Sequence, residues 1–116
     1  MNSTQTLGRL GEDMAVRYLE QQGYEVLARN WRHGHREIDI ICRLGPDLIF
    51  VEVKTRRTRR FGMPEESISA SKKKAVMTAA VVFMATHRHR DIRFDVIAIL
   101  MDKAEPDILH IRDAFS

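Results

Sequence analysis

The chain has 116 residues, 44% hydrophobic and 30% charged, a length that fits one domain with its own core and a composition that excludes disorder. Net charge is only +3, from 19 basic and 16 acidic residues, and a single cysteine, Cys42, excludes an internal disulfide and suits a reducing cytoplasm. The opening MNSTQTLGRLGED has no basic stretch followed by an apolar run, and no apolar run approaches the roughly 18 residues of a membrane span. The expectation is a cytoplasmic domain, residues 1–116, with no membrane partner.

Leu7, Leu10, Gly11, Met14, Ala15, Tyr18 and Leu19 recur at helical spacing, which predicts an amphipathic helix over 4–22, capped by Ser3 or Thr4 and stopped at Gly23. YEVLARNWR, 24–32, reads as a strand, and RHGHR as a polar connection. Two further strands, 36–42 and 48–55, are β-branched and bounded by the turn residues Gly45, Pro46 and Asp47. RRTRRFGMPEES is a basic loop punctuated by Gly and Pro. A helix follows from Ala70 to His87, with Ala75, Met77, Ala79, Val82 and Phe83 as its apolar surface; IRFDVIAIL, 92–100, is a strand, and ILHIRDAF a short final one. The order αβββαβ, plus that last strand, predicts an α/β fold with a mixed β-sheet flanked by helices.

The informative stretch is EIDIICRLGPDLIFVEVK, 37–54, where Asp39 and Glu52 interrupt two strands that otherwise read as buried. An unpaired carboxylate in such surroundings is costly, so something positive must meet it. A hairpin centred on Gly45-Pro46 pairs residues whose numbers sum to 91, setting Asp39 opposite Glu52 and Glu37 opposite Lys54. Opposed residues share a face with Cβ atoms about 4.5–5.5 Å apart, and alternation puts Lys54 on the face of Glu52. Two facing carboxylates suit Mg²⁺, which takes one or two of them and leaves room for water and substrate phosphate. A neighbouring lysine can stabilise charge growing on a phosphate oxygen, which completes a set sufficient to cut a phosphodiester. The competing reading is a structural ion pair of Lys54 with Glu37 or Glu52.

Basic residues cluster at RRTRR (56–60), KKK (72–74) and RHR (88–90), around the candidate acids, which favours a polyanionic partner such as nucleic acid. The pairs His33/His35 and His87/His89, with Cys42, lack a C-x-x-C companion and read as exposed loop histidines rather than zinc ligands. No G-x-S-x-G turn supports a serine hydrolase. Asp95, in RFDVIAI, reads as a structural partner of Arg93 or of a helix end.

GRLGEDMAVRYLEQQGY, EIDII, FVEVKTRR and RFDVIAI together resemble the YraN-like family of uncharacterised bacterial proteins. That family is placed in the PD-(D/E)XK nuclease superfamily and is similar in fold to archaeal Holliday-junction resolvases; the likeness spans roughly residues 7–115. The resemblance implies a restriction-endonuclease-like core and a metal-dependent nuclease acting on DNA phosphodiester bonds, branched DNA among them. Its catalytic residues would be Glu12, Asp39, Glu52 and Lys54, with Mg²⁺ or Mn²⁺ on Asp39 and Glu52, supported by Glu12. Nucleic acid would be contacted by Arg36, Arg56, Arg57, Arg59, Arg60 and Lys72. Two departures stand out: Ile38 replaces the superfamily's proline before the acid, and Arg36 stands where glycine is usual. A homodimer is expected by analogy with resolvases, which cut two strands. The rival expectation is a non-catalytic nucleic-acid-binding or partner-docking module on the same fold.

Overall fold

The structure, a computed structural model, describes residues 3–58 and 68–116. Its elements are α1 (Ser3–Gln21), β1 (Glu25–His33), β2 (Arg36–Leu44), β3 (Asp47–Arg56), α2 (Ala70–Met84), β4 (Ile92–Leu100) and β5 (Asp107–Phe115). The strands form one sheet in sequence order; β3 and β4 are parallel, across the α2 connection, and the other neighbours antiparallel. This mixed sheet with its two helices has the expected αβββαβ order and is consistent with a restriction-endonuclease-like core.

The α1 helix stops where Gly23 adopts φ 90°, a left-handed turn closed by Tyr24 N–H on the Leu19 carbonyl (2.9 Å) and Gly23 N–H on that of Glu20 (3.1 Å). Gly11, Ala15 and Leu19 are buried at a spacing of one turn, so α1 lies close on the sheet. Gly11 is where the approach is closest: a Cβ there would overlap the Thr55 side chain. Ala15 and Leu19 pack with Ile40, Cys42, Ile49, Val51, Ile97 and Ile99 on this face. On the other face Val76, Ala79, Ala80 and Phe83 of α2 cover Ile38, Ile41, Leu48, Phe50, Phe94 and Val96.

One expectation is corrected. The second helix ends at Met84, before His87, because Thr86 and His87 turn back on it. The Thr86 hydroxyl donates to the Phe83 carbonyl (3.3 Å) and the His87 ring stacks on Phe83 at 3.8 Å, serving the groups a further turn would have used. The last strand falls where it is expected, ILHIRDAF with Asp107 added at its start, and is paired along β4 with one irregularity between Phe94 and Val96. It is tied there by His110, whose Nε2 lies 2.7 Å from Asp95 Oδ2. Among the described residues no helix is long and apolar enough to cross a membrane.

Candidate active site

The β2–β3 hairpin turns on Gly45, at φ 58°, and its pairs run from Leu44↔Asp47 to Ile40↔Val51, the register predicted from the turn. Past Val51 the two strands part, each keeping its other neighbour. β2 continues along β1 to Arg36, while β3 continues along β4 as far as Arg56↔Leu100. At the parting, Asp39 Oδ2 accepts the Val53 N–H at 2.9 Å, so a side chain replaces the missing ladder bond. Asp39 therefore sits at a seam between the two faces of the sheet.

Glu52 shares the face of Leu48 and Phe50, beneath α2, and is only 3% exposed. Its Oε2 lies 3.5 Å from Lys72 Nζ, and its Oε1 is buried with no hydrogen-bond partner among the described residues. Burial first, and then the charge of Asp39, push the Glu52 carboxyl up to about 8, with the Lys72 ammonium working the other way. Lys72 is placed by the cap of α2, where the Ser69 side chain accepts the Lys72 backbone N–H at 3.1 Å. Lys54, two residues beyond Glu52, is half-buried, and its side chain makes no ion pair or hydrogen bond with a described residue.

On the opposite face, Glu12 is 14% exposed at its side chain and is gripped through Oε1 by Asn30 Nδ2 (2.8 Å) and Arg29 Nε (3.2 Å). Burial raises the Glu12 carboxyl, the Arg29 bond opposes that, and the Asp39 charge adds to the rise. Glu12 and Asp39 line one cleft of about 940 Å³, with Val53 and Thr55 at its floor. Arginines 9, 29 and 32 there face four acids, Glu12, Asp13, Glu37 and Asp39, so the cleft is no groove for a polyanion. The lysines that could meet phosphate, Lys54 and Lys72, lie on the α2 side.

Several expected residues take other places. Glu37 does not meet Lys54 but pairs with Arg32 across β1 at 3.3 Å. Arg36 is exposed at the start of β2, Arg56 half-buried at the end of β3 and Arg57 exposed after it; Arg59 and Arg60 lie outside the described residues. Asp95 is fully buried and bonded by Arg93 Nε and Nη2 (both 2.8 Å), by His110 and by the Asp113 N–H, the structural role expected of it. Burial alone would raise its carboxyl, but these donors hold it below the ordinary value. Burial, reinforced by Asp95, pushes the Cys42 thiol up to about 12, which leaves it inert. Arg29 and Asn30 were not foreseen, although a turn centred on Gly34-His35 implies that Asn30 opposes Asp39.

Among the described residues no three His, Cys, Asp or Glu side chains are gathered as a metal cage, so Glu12, Asp39 and Glu52 do not form one. The pair Asp39–Glu52 nonetheless fits Mg²⁺ or Mn²⁺, since a buried oxygen without a partner beside a second carboxylate is what such an ion relieves.

Fold and site together define a mixed-sheet α/β protein built around two carboxylates where β2 and β3 part. The chain belongs to the uncharacterised protein family UPF0102, whose family model matches residues 11–99. It is similar to UPF0102 proteins of Geotalea daltonii (45% identity over 117 residues, 98% of this chain and 92% of the relative) and Rhodococcus opacus (45% over 112 residues, 94% and 95%). A further relative is the UPF0102 protein of Bacteroides thetaiotaomicron, 41% identical over 110 residues, 94% of this chain and 91% of its own. The relatives carry the family name alone, so the likeness establishes membership and no activity.

Proposed function

We propose that this protein hydrolyses phosphodiester bonds of nucleic acid, with DNA as the first substrate to test and Mg²⁺ or Mn²⁺ held at Asp39 and Glu52. The observation that carries the reading is the Glu52 carboxyl, shut to 3% exposure next to Asp39 with no hydrogen-bond partner for Oε1 among the described residues. When bound, the ion supplies charge neutralisation on a phosphate and lowers the pKa of water. Lys54, on the same face, presents its ammonium to a phosphoryl oxygen and stabilises charge developing there. Lys72 lies 3.5 Å from Glu52 Oε2 and, being 40% exposed, is within reach of an incoming phosphate. Glu12 holds water in the cleft on the far side of Asp39. Arg36, Arg56 and Arg57, with Arg59 and Arg60, contact the backbone away from the chemistry. The resolvase likeness directs the first substrates to four-way junctions and flaps beside linear duplex, and a homodimer would supply two centres for two strands.

One observation favours a second reading. The Lys72 ammonium already lies 3.5 Å from Glu52, where an ion would stand, and a site so filled can serve as a non-catalytic nucleic-acid-binding or partner-docking module. Incubation of purified protein with Mg²⁺ or Mn²⁺ and duplex, flap, four-way junction, single-stranded DNA and RNA separates the two. Cleavage that Glu52→Gln abolishes is expected. Lys54→Ala should keep fold and Mn²⁺ binding but lose at least about 10²-fold in rate. Binding without cleavage of any of these establishes the module.

A further inference from the structure

We propose that Asn30, assisted by Arg29, is a positioning residue that fixes Glu12 against Asp39 and so joins the helix acid to the strand acids. The inference rests on the phosphodiesterase reading and adds to it the device that orders the site across two elements. The β1–β2 register pairs Arg29 with Ile40 and Trp31 with Ile38, which places Asn30 directly across from Asp39. Asn30 is one of two non-glycine residues with positive φ among those described, at 50°, a conformation asparagine tolerates better than most. In that conformation its amide reaches α1 and donates to Glu12 Oε1 at 2.8 Å. Arg29 donates to the same oxygen at 3.2 Å, and its other arm is anchored on Asp13 Oδ1 at 2.7 Å. Both donors therefore hold Oε1, and Oε2 takes neither of these bonds.

The residue types matter. An aspartate would accept the same backbone conformation but set a fourth carboxylate beside Glu12, Asp13 and Asp39, whereas the amide donates. Glycine would allow the backbone and leave Glu12 unheld. The tight contact of Gly11 with Thr55 fixes the height of α1 over the sheet, and the Asn30 bond sets the direction of the next side chain, Glu12. The ion pair and hydrogen bonds at this rim are exposed and add little to stability, so their consequence is orientation.

Calorimetry with MnCl₂ alone tests this on wild type, Asn30→Gly, Glu12→Gln and the double variant. Glycine suits the positive φ, so Asn30→Gly is expected to fold with a thermal midpoint near wild type. Glu12 acts through the water it holds beside Asp39 and not as a third ligand, and Asn30→Gly should bind Mn²⁺ about 10–100-fold more weakly, the loss typical when a group supporting the ligands is removed. In the Glu12→Gln background the same change should have no further effect. Arg29→Lys, which keeps the charge and loses the fork, should show part of the loss. Wild-type affinity in Asn30→Gly overturns the proposal, as does an equal loss in both backgrounds, which would mean action on Asp39 or on the fold directly. If Glu12→Gln binds Mn²⁺ as wild type does while Asp39→Asn does not, the inference falls and the phosphodiesterase reading stands. If wild type binds no Mn²⁺, both fall.

Discussion

Glu52 and Asp95 are the two buried charged residues among those described, and their surroundings push them in opposite directions. Asp95 receives Arg93, His110 and a backbone N–H, and its carboxyl lies below the ordinary range; Glu52 has Lys72 at 3.5 Å and an oxygen with no hydrogen-bond partner among the described residues, and its carboxyl rises to about 8. As pH climbs from 4.5, the ordinary value, to about 8, the unfolded chain gives up the Glu52 proton while the folded chain keeps it. Protons bound in the folded state then exceed those in the unfolded state, so stability falls across that window and levels off above it. Glu52→Gln removes the titration. Denaturant unfolding without metal should therefore show the variant gaining on wild type between pH 5 and pH 9. A constant difference between the two over that range would show that Glu52 is not the group responsible. Asp95→Ala, by contrast, strands Arg93 and His110 and should cost about 3–5 kcal/mol at neutral pH.

At the scale of elements, each acid depends on how one helix meets the sheet. The α1 helix can bring Glu12 to the cleft because Gly11 has no Cβ to strike Thr55. Gly11→Ala should lose about 1–3 kcal/mol by overpacking. It should also weaken Mn²⁺ binding, because α1 must lift; pairing it with Thr55→Gly, which removes the atoms in conflict, should restore part of both. The α2 helix presents Lys72 from a first turn capped by Ser69. Ser69→Ala should cost about 1 kcal/mol in denaturant unfolding. That loss should shrink in the Glu52→Gln background if the cap and the Lys72–Glu52 pair act together, and stay the same if they are independent.

Across the whole molecule the charges divide by face. The α1 side carries a cleft whose arginines are matched by acids, whereas Lys54 and Lys72 lie on the α2 side and Arg56 and Arg57 follow at the end of β3. Nucleic acid is therefore expected to approach from the α2 side, with Asp39 at the seam. Each phosphate neutralised on duplex DNA adds about 0.9 to the salt slope. Arg56→Ala with Arg57→Ala should flatten that slope by about that amount for every phosphate no longer reached, with unchanged sequence preference, whereas alanine at Arg9 should leave it alone. Mn²⁺ at 100 times its Kd should raise folding stability by about 2.7 kcal/mol, reversed by chelation and absent in Glu52→Gln.

What the chain determined by itself is local. Gly23 ends α1 because its φ suits no other residue as well, and Gly45-Pro46 sets the β2–β3 register from Leu44↔Asp47 to Ile40↔Val51, which carries Asp39 and Glu52 to the point where the strands part without pairing them. The end of α2 at Met84 rather than His87 rests on contacts that helical periodicity does not reveal, His87 stacking on Phe83 and Thr86 bonding the Phe83 carbonyl. Only the tertiary structure decided that β2 and β3 part beyond Ile40↔Val51, while β3 keeps its pairing with β4, a strand far along the chain, from Leu48 to Arg56. It also decided that Lys72, and not Lys54, rests on Glu52, because only the crossover brings the first turn of α2 over that carboxylate. The opposition of Asn30 to Asp39 was legible in the Gly34-His35 turn, but the grip on Glu12 was not. Register is written in short-range turn chemistry, whereas the placement of a helix on a sheet is settled by packing among residues far apart in sequence.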